Sequence, residues 1–214
     1  MALSSFWEGK TLLSEDISLS EEQFADFAEL AVAGPREEAL TALDALFDRL
    51  KAEDEVAYYI YSDWVAGAFY SPLSPCRDAE LFAYCVGRLE TDGILTEDEF
   101  RRFGRMRDWI SLNAAGQKAA LPQPDPEGRP TLVLVIDLSC PSCRMALDKL
   151  GTDPAWDSCR RLALCGGHGE APDADGWEIQ LLPDAASDFD LGLAPVYYVI
   201  DPAGVVSKSY TPAL

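Results

Sequence analysis

The chain has 214 residues, of which 48% are hydrophobic, and carries a formal net charge of −20. This apolar content is sufficient for a substantial core, and the length corresponds to one large domain or two small ones. So acidic a chain repels phosphate backbones, and nucleic acid is therefore not an expected partner. Its apolar runs, such as Leu132–Ile136, are far shorter than the roughly 20 residues that span a bilayer. No transmembrane segment is predicted.

The first residues carry no recognisable export signal. Met1–Ser5 lacks both the basic start and the apolar stretch that a secretory signal needs. This pattern fits a cytosolic protein, or one from which a targeting segment has been removed, and the residues by themselves do not decide between the two.

Up to about residue 115 the apolar side chains recur at the spacing of α-helices. Ser20–Gln23 and Thr96–Glu99 both have the pattern of a capping box, which opens a helix. Helices are predicted at about 20–33, 35–50, 53–69, 78–89 and 96–113. We interpret residues 6–115 as an all-helical unit, within an N-terminal domain 1–120 whose function the sequence does not indicate.

The third predicted helix is unusually aromatic. Its aromatic residues are Tyr58, Tyr59, Tyr61, Trp64 and Phe69. Together with Cys76 and Cys85 they are most simply packing residues of a core. A binding surface built from this helix is the alternative.

From residue 131 the pattern changes to alternating strands and helices, after a Pro- and Gly-rich segment, 116–130, that is typical of a linker or a lead-in strand. Strands are predicted at 131–138, 162–165, 177–182, 196–200 and 205–210, with helices at 143–150, 154–161 and 183–189. Asp201–Gly204 has the composition of a hairpin turn. The alternation predicts a C-terminal α/β domain, 121–214, with a mixed sheet that is parallel at its centre and antiparallel at one edge.

The segment Cys140-Pro141-Ser142-Cys143 follows a predicted buried strand and opens a helix. A helix N-terminus carries partial positive charge and stabilises a thiolate, which lowers the pKa of the first cysteine. The second cysteine, one turn further in, can close a disulfide with the first. Pro141 favours the helix start, and Arg144 adds positive charge beside the pair. Cys140 and Cys143 are therefore the candidate catalytic residues.

Two other interpretations of these cysteines stay open. One is a structural disulfide, either at Cys140–Cys143 or between Cys159 and Cys165. The other is zinc, because Cys165-Gly166-Gly167-His168 adds a Cys-x-x-His to the Cys-x-x-Cys, and Cys140, Cys143, Cys165 and His168 suit a tetrahedral site. The simpler interpretations are that His168 is a solvated loop residue and that Cys165 is a small buried hydrophobe.

Strand, CxxC, helix and then the segment Leu193–Gly204 together resemble thioredoxin-fold domains of the TlpA/peroxiredoxin-like superfamily. The resemblance implies that the Ala194–Pro195 bond is cis and lies opposite the CxxC. It further implies that Ala194, Pro195 and Val196 hold an extended thiol substrate by strand addition. No cofactor is implied.

The helical half also has a counterpart. Three segments, Phe6-Trp7, the predicted helix Tyr58–Phe69 and Tyr70–Glu80, resemble an uncharacterised helical domain that precedes thioredoxin-like domains in exported Bacteroidota proteins. This resemblance implies a location in the cell envelope, in the periplasm, with the export signal removed.

Three features of the sequence depart from the family's pattern. Ser139 replaces the usual Trp before the first cysteine, and the strand Leu132–Ile136 lacks the acidic residue that many thioredoxins bury, which leaves Asp137 as the alternative proton acceptor. The stretch between Cys165 and Trp177 is short, which predicts that a substrate-shaping helix is absent.

Three hypotheses about function follow. The first is a thiol–disulfide oxidoreductase that acts on protein or small-molecule disulfides and needs a redox partner, with Pro141, Ser142, Arg144 and Asp137 in supporting roles. The second is a binding or scaffold protein with a degenerate thioredoxin fold. The third is a zinc-stabilised module. A peroxidase is disfavoured, because no single cysteine in a Thr- and Arg-lined pocket is evident.

Overall fold

The computed structural model describes residues 3–119, 125–182 and 189–213. The chain divides into two compact units, Met1–Arg107 and Asp108–Leu214. The first is helical and the second contains the sheet, in agreement with the predicted two-part chain. The predicted boundary at residues 120 and 121 falls outside the described residues and stays a prediction. In the described part of the chain, no helix combines the length and apolar character that crossing a bilayer requires.

Five α-helices build the first half of the chain: α1 Ile17–Ala33, α2 Arg36–Glu53, α3 Glu55–Val65, α4 Ala79–Asp92 and α5 Glu97–Ser111. The predicted third helix is in fact two elements, because a π-helical turn, Ala66–Tyr70, follows α3 directly. Helix starts are fixed by carboxylates: Asp54 and Asp78 each accept hydrogen bonds from two backbone N–H groups of the first turn.

One of the two predicted capping boxes is present. Thr96 N–H donates to the Glu99 carboxylate over 2.9 Å, while Glu99 N–H donates back to the Thr96 hydroxyl. The box predicted at Ser20–Gln23 is wrong, because Asp16 caps α1 earlier by accepting from Ser18 N–H. Ser20 is buried inside α1, where its hydroxyl accepts from Ser14 N–H.

Aromatic side chains fill the core of the helical unit, as predicted. The fully buried ones in this core include Tyr58, Tyr61, Phe69, Phe27 and Phe47. Cys85 is buried among them, and Cys76 is nearly so. The interpretation as packing residues is therefore confirmed for Tyr58, Tyr61, Phe69, Cys76 and Cys85, whereas Tyr59 and Trp64 are only partly buried.

The second unit contains a five-stranded sheet: β1 Thr131–Asp137, β2 Arg160–Gly166, β3 Glu178–Leu181, β4 Val196–Ile200 and β5 Val206–Pro212. The strand order is β3-β2-β1-β4-β5. Strands β1, β2 and β3 run parallel, whereas β4 pairs antiparallel with both β1 and β5. The predicted mixed sheet is confirmed.

The two faces of the sheet carry separate apolar clusters, because successive side chains of a strand point to opposite faces. Leu132, Leu134 and Ile136 of β1 pack with helix α6, Pro141–Thr152, in what we call the α6-side cluster. Val133 and Val135 belong to the opposite cluster, which contains Tyr198 and Ile200 of β4. This alternation places the start of α6 over the carboxyl end of β1.

The predicted helix at 154–161 is wrong. Asp153 caps only a single 3-10 turn, Pro154–Trp156, and β2 already begins at Arg160. The strand begins early because Arg160 pairs in register with Thr131, and its guanidinium binds the Glu178 carboxylate of β3. The helix predicted at 183–189 lies, except for Phe189, outside the described residues.

Candidate functional site

The CxxC segment forms the N-terminus of α6. Cys140 is the N-cap residue, with an extended backbone, and Pro141 occupies the first turn, as the sequence indicated. Cys140 N–H donates to the Asp137 carbonyl at the end of β1, over 3.0 Å. Cys140 therefore lies directly after β1, at the positive end of the helix.

Cys140 is a partly exposed thiol whose environment favours the thiolate. The Ser142 hydroxyl, with Oγ 2.9 Å from Cys140 Sγ, is the main cause that lowers the pKa of Cys140 below its ordinary value of 9.0. Partial burial opposes this effect, while hydrogen bonds from the Cys143 thiol and from the backbone of Cys143 and Ser142 add to it. The lowered pKa that the sequence predicts for the first cysteine is therefore supported, and Ser142 is its principal source.

Cys143 has the opposite character. It is 1% exposed and packs in the α6-side cluster. The pKa of Cys143 is raised to about 12, mainly by burial and also by the hydrogen bond and charge of Cys140. The pair thus consists of an accessible, easily ionised thiol and a buried, protonated one.

Replacing Ser142 by alanine is expected to raise the pKa of Cys140, because it removes the hydroxyl that stabilises the thiolate. The iodoacetamide reaction of Cys140 should then slow near neutral pH, and its pH profile should move to higher pH. Ser139→Ala is the matched control, since the Ser139 hydroxyl donates to Asp137 and not to Cys140. Equal pH profiles for the two variants would contradict the role given to Ser142.

Asp137 holds the turn that precedes Cys140. Its Oδ1 atom accepts hydrogen bonds from the backbone N–H of Ser139 (2.7 Å) and from the Ser139 hydroxyl (2.6 Å). The charge of Asp137 also helps to raise the pKa of Cys143, so the carboxylate lies within electrostatic reach of the buried thiol. This position is compatible with the predicted role as proton acceptor.

Glycines of the β2–β3 loop pack closely against this turn. Gly167 has φ +78°, and a Cβ there would lie 2.8 Å from Asp137 Oδ1. A Cβ at Gly169 would lie 2.9 Å from the Cβ atom of Leu138. Neither glycine was predicted as a site residue, because this part of the sequence was interpreted through Cys165 and His168 as possible zinc ligands. The two glycines lie near the site only because β2 pairs with β1, which places the end of β2 beside Asp137.

Gly167→Ala is expected to displace the Asp137 carboxylate from Ser139 and thereby change the reactivity of Cys140. Gly176→Ala is a closely matched control, since Gly176 has the same φ of +78° but its Cβ would meet only the Arg161 guanidinium, at 3.6 Å. Both variants should lose about 1 kcal/mol of stability through backbone strain. Only Gly167→Ala should alter the alkylation rate of Cys140, and an equal change in both would contradict the link.

A cavity of about 260 Å³ opens beside Cys140. Its lining residues are Leu138, Ser139, Cys140, Pro141 and Arg144. Arg144 therefore contributes a positive charge to the wall of this cavity, as the sequence indicated.

The Ala194–Pro195 peptide bond is cis. Ala194 packs against the same α6-side cluster as Cys140 and Cys143. Ala194 N–H already donates to the Leu191 carbonyl, and the Pro195 carbonyl accepts from Ala213 N–H. Among the residues that the structure describes, none donates to the Ala194 carbonyl. The Ala194 carbonyl is therefore an open hydrogen-bond acceptor beside the α6-side cluster.

Val196 does not face the candidate site. Its side chain is buried in the opposite cluster, and its backbone pairs with Val135 and Pro212 on the two neighbouring strands. The prediction that Val196 contacts a substrate therefore needs correction, because its side chain lies on the face of the sheet opposite α6 and its backbone is already paired on both sides.

The four residues of the predicted zinc set are not assembled into a metal site. Cys165 is 1% exposed, packs in the α6-side cluster with Cys143, and has a pKa raised by burial to about 11. His168 is exposed on the loop after β2. Across 3–119, 125–182 and 189–213, no three His, Cys, Asp or Glu residues form a group that can hold a metal ion.

The alternative disulfide also lacks a suitable geometry. Cys159 precedes β2, and Cys165 is near its far end. Six residues of extended strand span roughly 20 Å, whereas a disulfide needs Cα atoms within about 7 Å. All six cysteines are free thiols.

The β2–β3 connection is a loop without a helix from residue 167 to residue 177, as the short spacing predicted. Strand β3 is mostly exposed at the edge of the sheet. The substrate-shaping helix that the resemblance implies for related proteins has no counterpart in this connection.

The sheet order, the CxxC at the start of the helix that follows the central strand, and the cis bond before β4 define a thioredoxin-like fold for the second unit. The whole structure is similar to the crystal structure, at 1.90 Å resolution, of a thioredoxin-like protein from Bacteroides caccae ATCC 43185. The TM-score is 0.72 at 16% sequence identity, and the match covers 99% of this chain and 87% of that chain. At this identity the similarity shows the fold alone. No protein-family model and no curated protein matches the sequence.

Proposed function

We propose that the protein is a thiol–disulfide oxidoreductase in which Cys140 is the nucleophile and Cys143 the resolving thiol. The observation that carries this proposal is the contrast between the two thiols. Cys140 is partly exposed, beside a cavity, with a lowered pKa, whereas Cys143 is buried with a raised pKa. This division suits a two-step exchange.

In the first step the Cys140 thiolate attacks one sulfur of a substrate disulfide. A mixed disulfide forms, and the other substrate sulfur leaves as a thiolate. In the second step the ionised Cys143 attacks Cys140 Sγ, which releases the second substrate thiolate and leaves a Cys140–Cys143 disulfide. The substrate gains two electrons, and a dithiol redox partner must return two electrons to the protein. Run in reverse, the same steps oxidise a dithiol substrate.

The second step requires Cys143 to lose its proton. Two of the causes that raise the pKa of Cys143 are the hydrogen bond and the charge of Cys140. Both vanish once Cys140 is part of a mixed disulfide, so Cys143 becomes easier to ionise at the stage where its thiolate is needed. Asp137, whose charge already acts on Cys143, is the proposed proton acceptor.

The substrate is proposed to bind across Cys140 and Ala194. Its sulfur enters the cavity lined by Leu138 and Arg144, while one of its backbone N–H groups donates to the Ala194 carbonyl. With one open backbone acceptor, an extended peptide gains little from strand addition. Protein disulfides in flexible segments and small-molecule disulfides are therefore both suitable substrates.

Equilibration in glutathione buffers tests this proposal directly. The protein is incubated over a range of ratios of reduced to oxidised glutathione, free thiols are alkylated, and the modified cysteines are located by mass spectrometry. Cys140 and Cys143 are expected to change together and reversibly between the alkylated and the protected form, while Cys165 stays reduced. A pair that remains alkylated at every ratio would rule out this function.

The location and partners are part of the same proposal. A periplasmic site, inferred from the sequence resemblance, would supply oxidised protein substrates. Fractionation of the cell that makes this protein, with immunodetection, tests the location, and recovery in the cytoplasmic fraction would contradict it.

A further inference from the structure

The helical unit contains a second cavity, of about 480 Å³, that the thiol chemistry does not use. Its walls come from α1, from the end of α3 with the following π-helical turn, and from the loop before α4. We call it the α1 cavity. Its lining residues include Phe24, Ala28, Trp64, Gly67 and Cys76. The volume lies in the range of cavities that hold small organic ligands.

The walls of the α1 cavity are aromatic and apolar. The rings of Phe24 and Trp64 lie with their centroids 6.1 Å apart, and Trp64 is only partly buried. The π-helical turn supplies two small residues, Gly67 and Ala68, which leave the space open. Helical segments of this kind are frequent at functional sites.

The polar residues at the rim of the α1 cavity are mainly negative. Glu21, Glu29 and Asp63 line it, and no Lys, Arg or His does. Asp63 forms an ion pair with Arg102, whereas Glu21 and Glu29 form none with any residue in the described ranges. The charge of Glu29 helps to raise the pKa of the Cys76 thiol, second to burial, which places this carboxylate near the cavity wall.

We infer that the α1 cavity binds a small organic cation with an apolar body, such as an aryl- or alkylammonium compound. The apolar walls accept the body of the ligand, the face of Trp64 attracts its positive charge, and Glu21 and Glu29 supply the two unpaired negative charges. A neutral or anionic ligand of the same shape lacks the last two interactions. The inference is independent of the proposed oxidoreductase function.

The test is isothermal titration calorimetry on the full chain with three probes of one shape: 4-phenylbutylamine, 4-phenylbutan-1-ol and 4-phenylbutyrate. The amine is expected to bind about tenfold more tightly than the alcohol, and the carboxylate more weakly than either. Because the attraction is electrostatic, the preference for the amine should shrink as salt is raised. Trp64→Ala should weaken both the amine and the alcohol through loss of the apolar wall, and the amine more, because it also loses the attraction of the ring face for its positive charge.

The double variant Glu21→Gln/Glu29→Gln should remove most of the amine's preference over the alcohol and leave only the part that the Trp64 face contributes. Glu22→Gln/Asp26→Asn is the matched control: it removes two exposed charges from the same helix at positions that do not line the cavity. Far-UV circular dichroism verifies that all variants fold. Equal binding of the three probes, absence of amine binding at millimolar concentration, or the same result for both double variants would overturn the inference.

Discussion

Replacing Cys143 by serine is expected to arrest disulfide exchange at a mixed disulfide between Cys140 and the substrate. Cys140 keeps the Ser142 hydroxyl and its place at the helix start, so the first step still proceeds. The second step stops, because no thiol remains in the first turn of α6 to attack Cys140 Sγ. Incubation with oxidised glutathione should therefore accumulate a glutathione adduct on Cys140, which mass spectrometry detects without reductant.

Replacing Cys140 by serine should instead abolish turnover, with a loss of at least about a thousandfold in the rate of disulfide reduction, because the attacking thiolate is gone. No adduct should form on the buried Cys143. Cys159→Ser controls for the removal of any partly exposed thiol and should retain full activity. A scaffold function predicts the opposite pattern, in which capture of a partner survives both changes.

A second large effect is expected for Asp92→Ala, which should destabilise the helical unit by about 3 kcal/mol. The Asp92 carboxylate is 4% exposed and accepts charge-assisted hydrogen bonds from Lys51 (3.0 Å) and Arg88 (2.9 Å). It also accepts one from the Tyr58 hydroxyl, over 2.9 Å. Its removal leaves the buried Tyr58 hydroxyl without this acceptor. Guanidinium unfolding of the full chain, followed by far-UV circular dichroism, measures the loss.

Glu90→Ala is the matched control, because it lies on the same helix and removes an ion pair with Arg107 whose partners are 42% and 34% exposed. An exposed pair of this kind contributes about 1 kcal/mol at most. If the two variants lost equal amounts of unfolding free energy, the buried hydrogen bonds of Asp92 would not contribute more than an exposed ion pair.

The same carboxylate gives the stability a defined pH dependence. Burial by itself would raise the pKa of Asp92, but the hydrogen bonds from Arg88, Lys51 and Tyr58 outweigh it and hold this pKa below the ordinary 3.8. Its contribution is therefore complete above pH 3.8 and is lost as the pH falls through the lower folded-state value. Asp92→Ala should lose less stability than the wild type over that acidic range.

Local sequence patterns predicted most of the fold. The spacing of the apolar residues distinguished the helical half from the sheet. A 3.6-residue repeat indicates a helix that is buried on one face, whereas an uninterrupted apolar run such as Leu132–Ile136 indicates a strand that is buried on both faces. The errors occurred where a nearby group competed with the pattern. Asp16 starts α1 before Ser20, and the pairing of Arg160 with Thr131 converts a predicted helix into strand.

The candidate site shows the same difference between features that are local in the sequence and features that depend on tertiary contacts. The sequence by itself determined that two cysteines stand one turn apart at the start of a helix, because both the spacing and the preceding strand are local features. Only the tertiary structure decided that Cys143 is buried while Cys140 is not, and that Val196 faces away. It also decided that a Cβ at position 167 would clash with the Asp137 carboxylate. Burial, strand register and contacts between distant loops depend on how the whole sheet is assembled, and no short segment of the sequence contains that information.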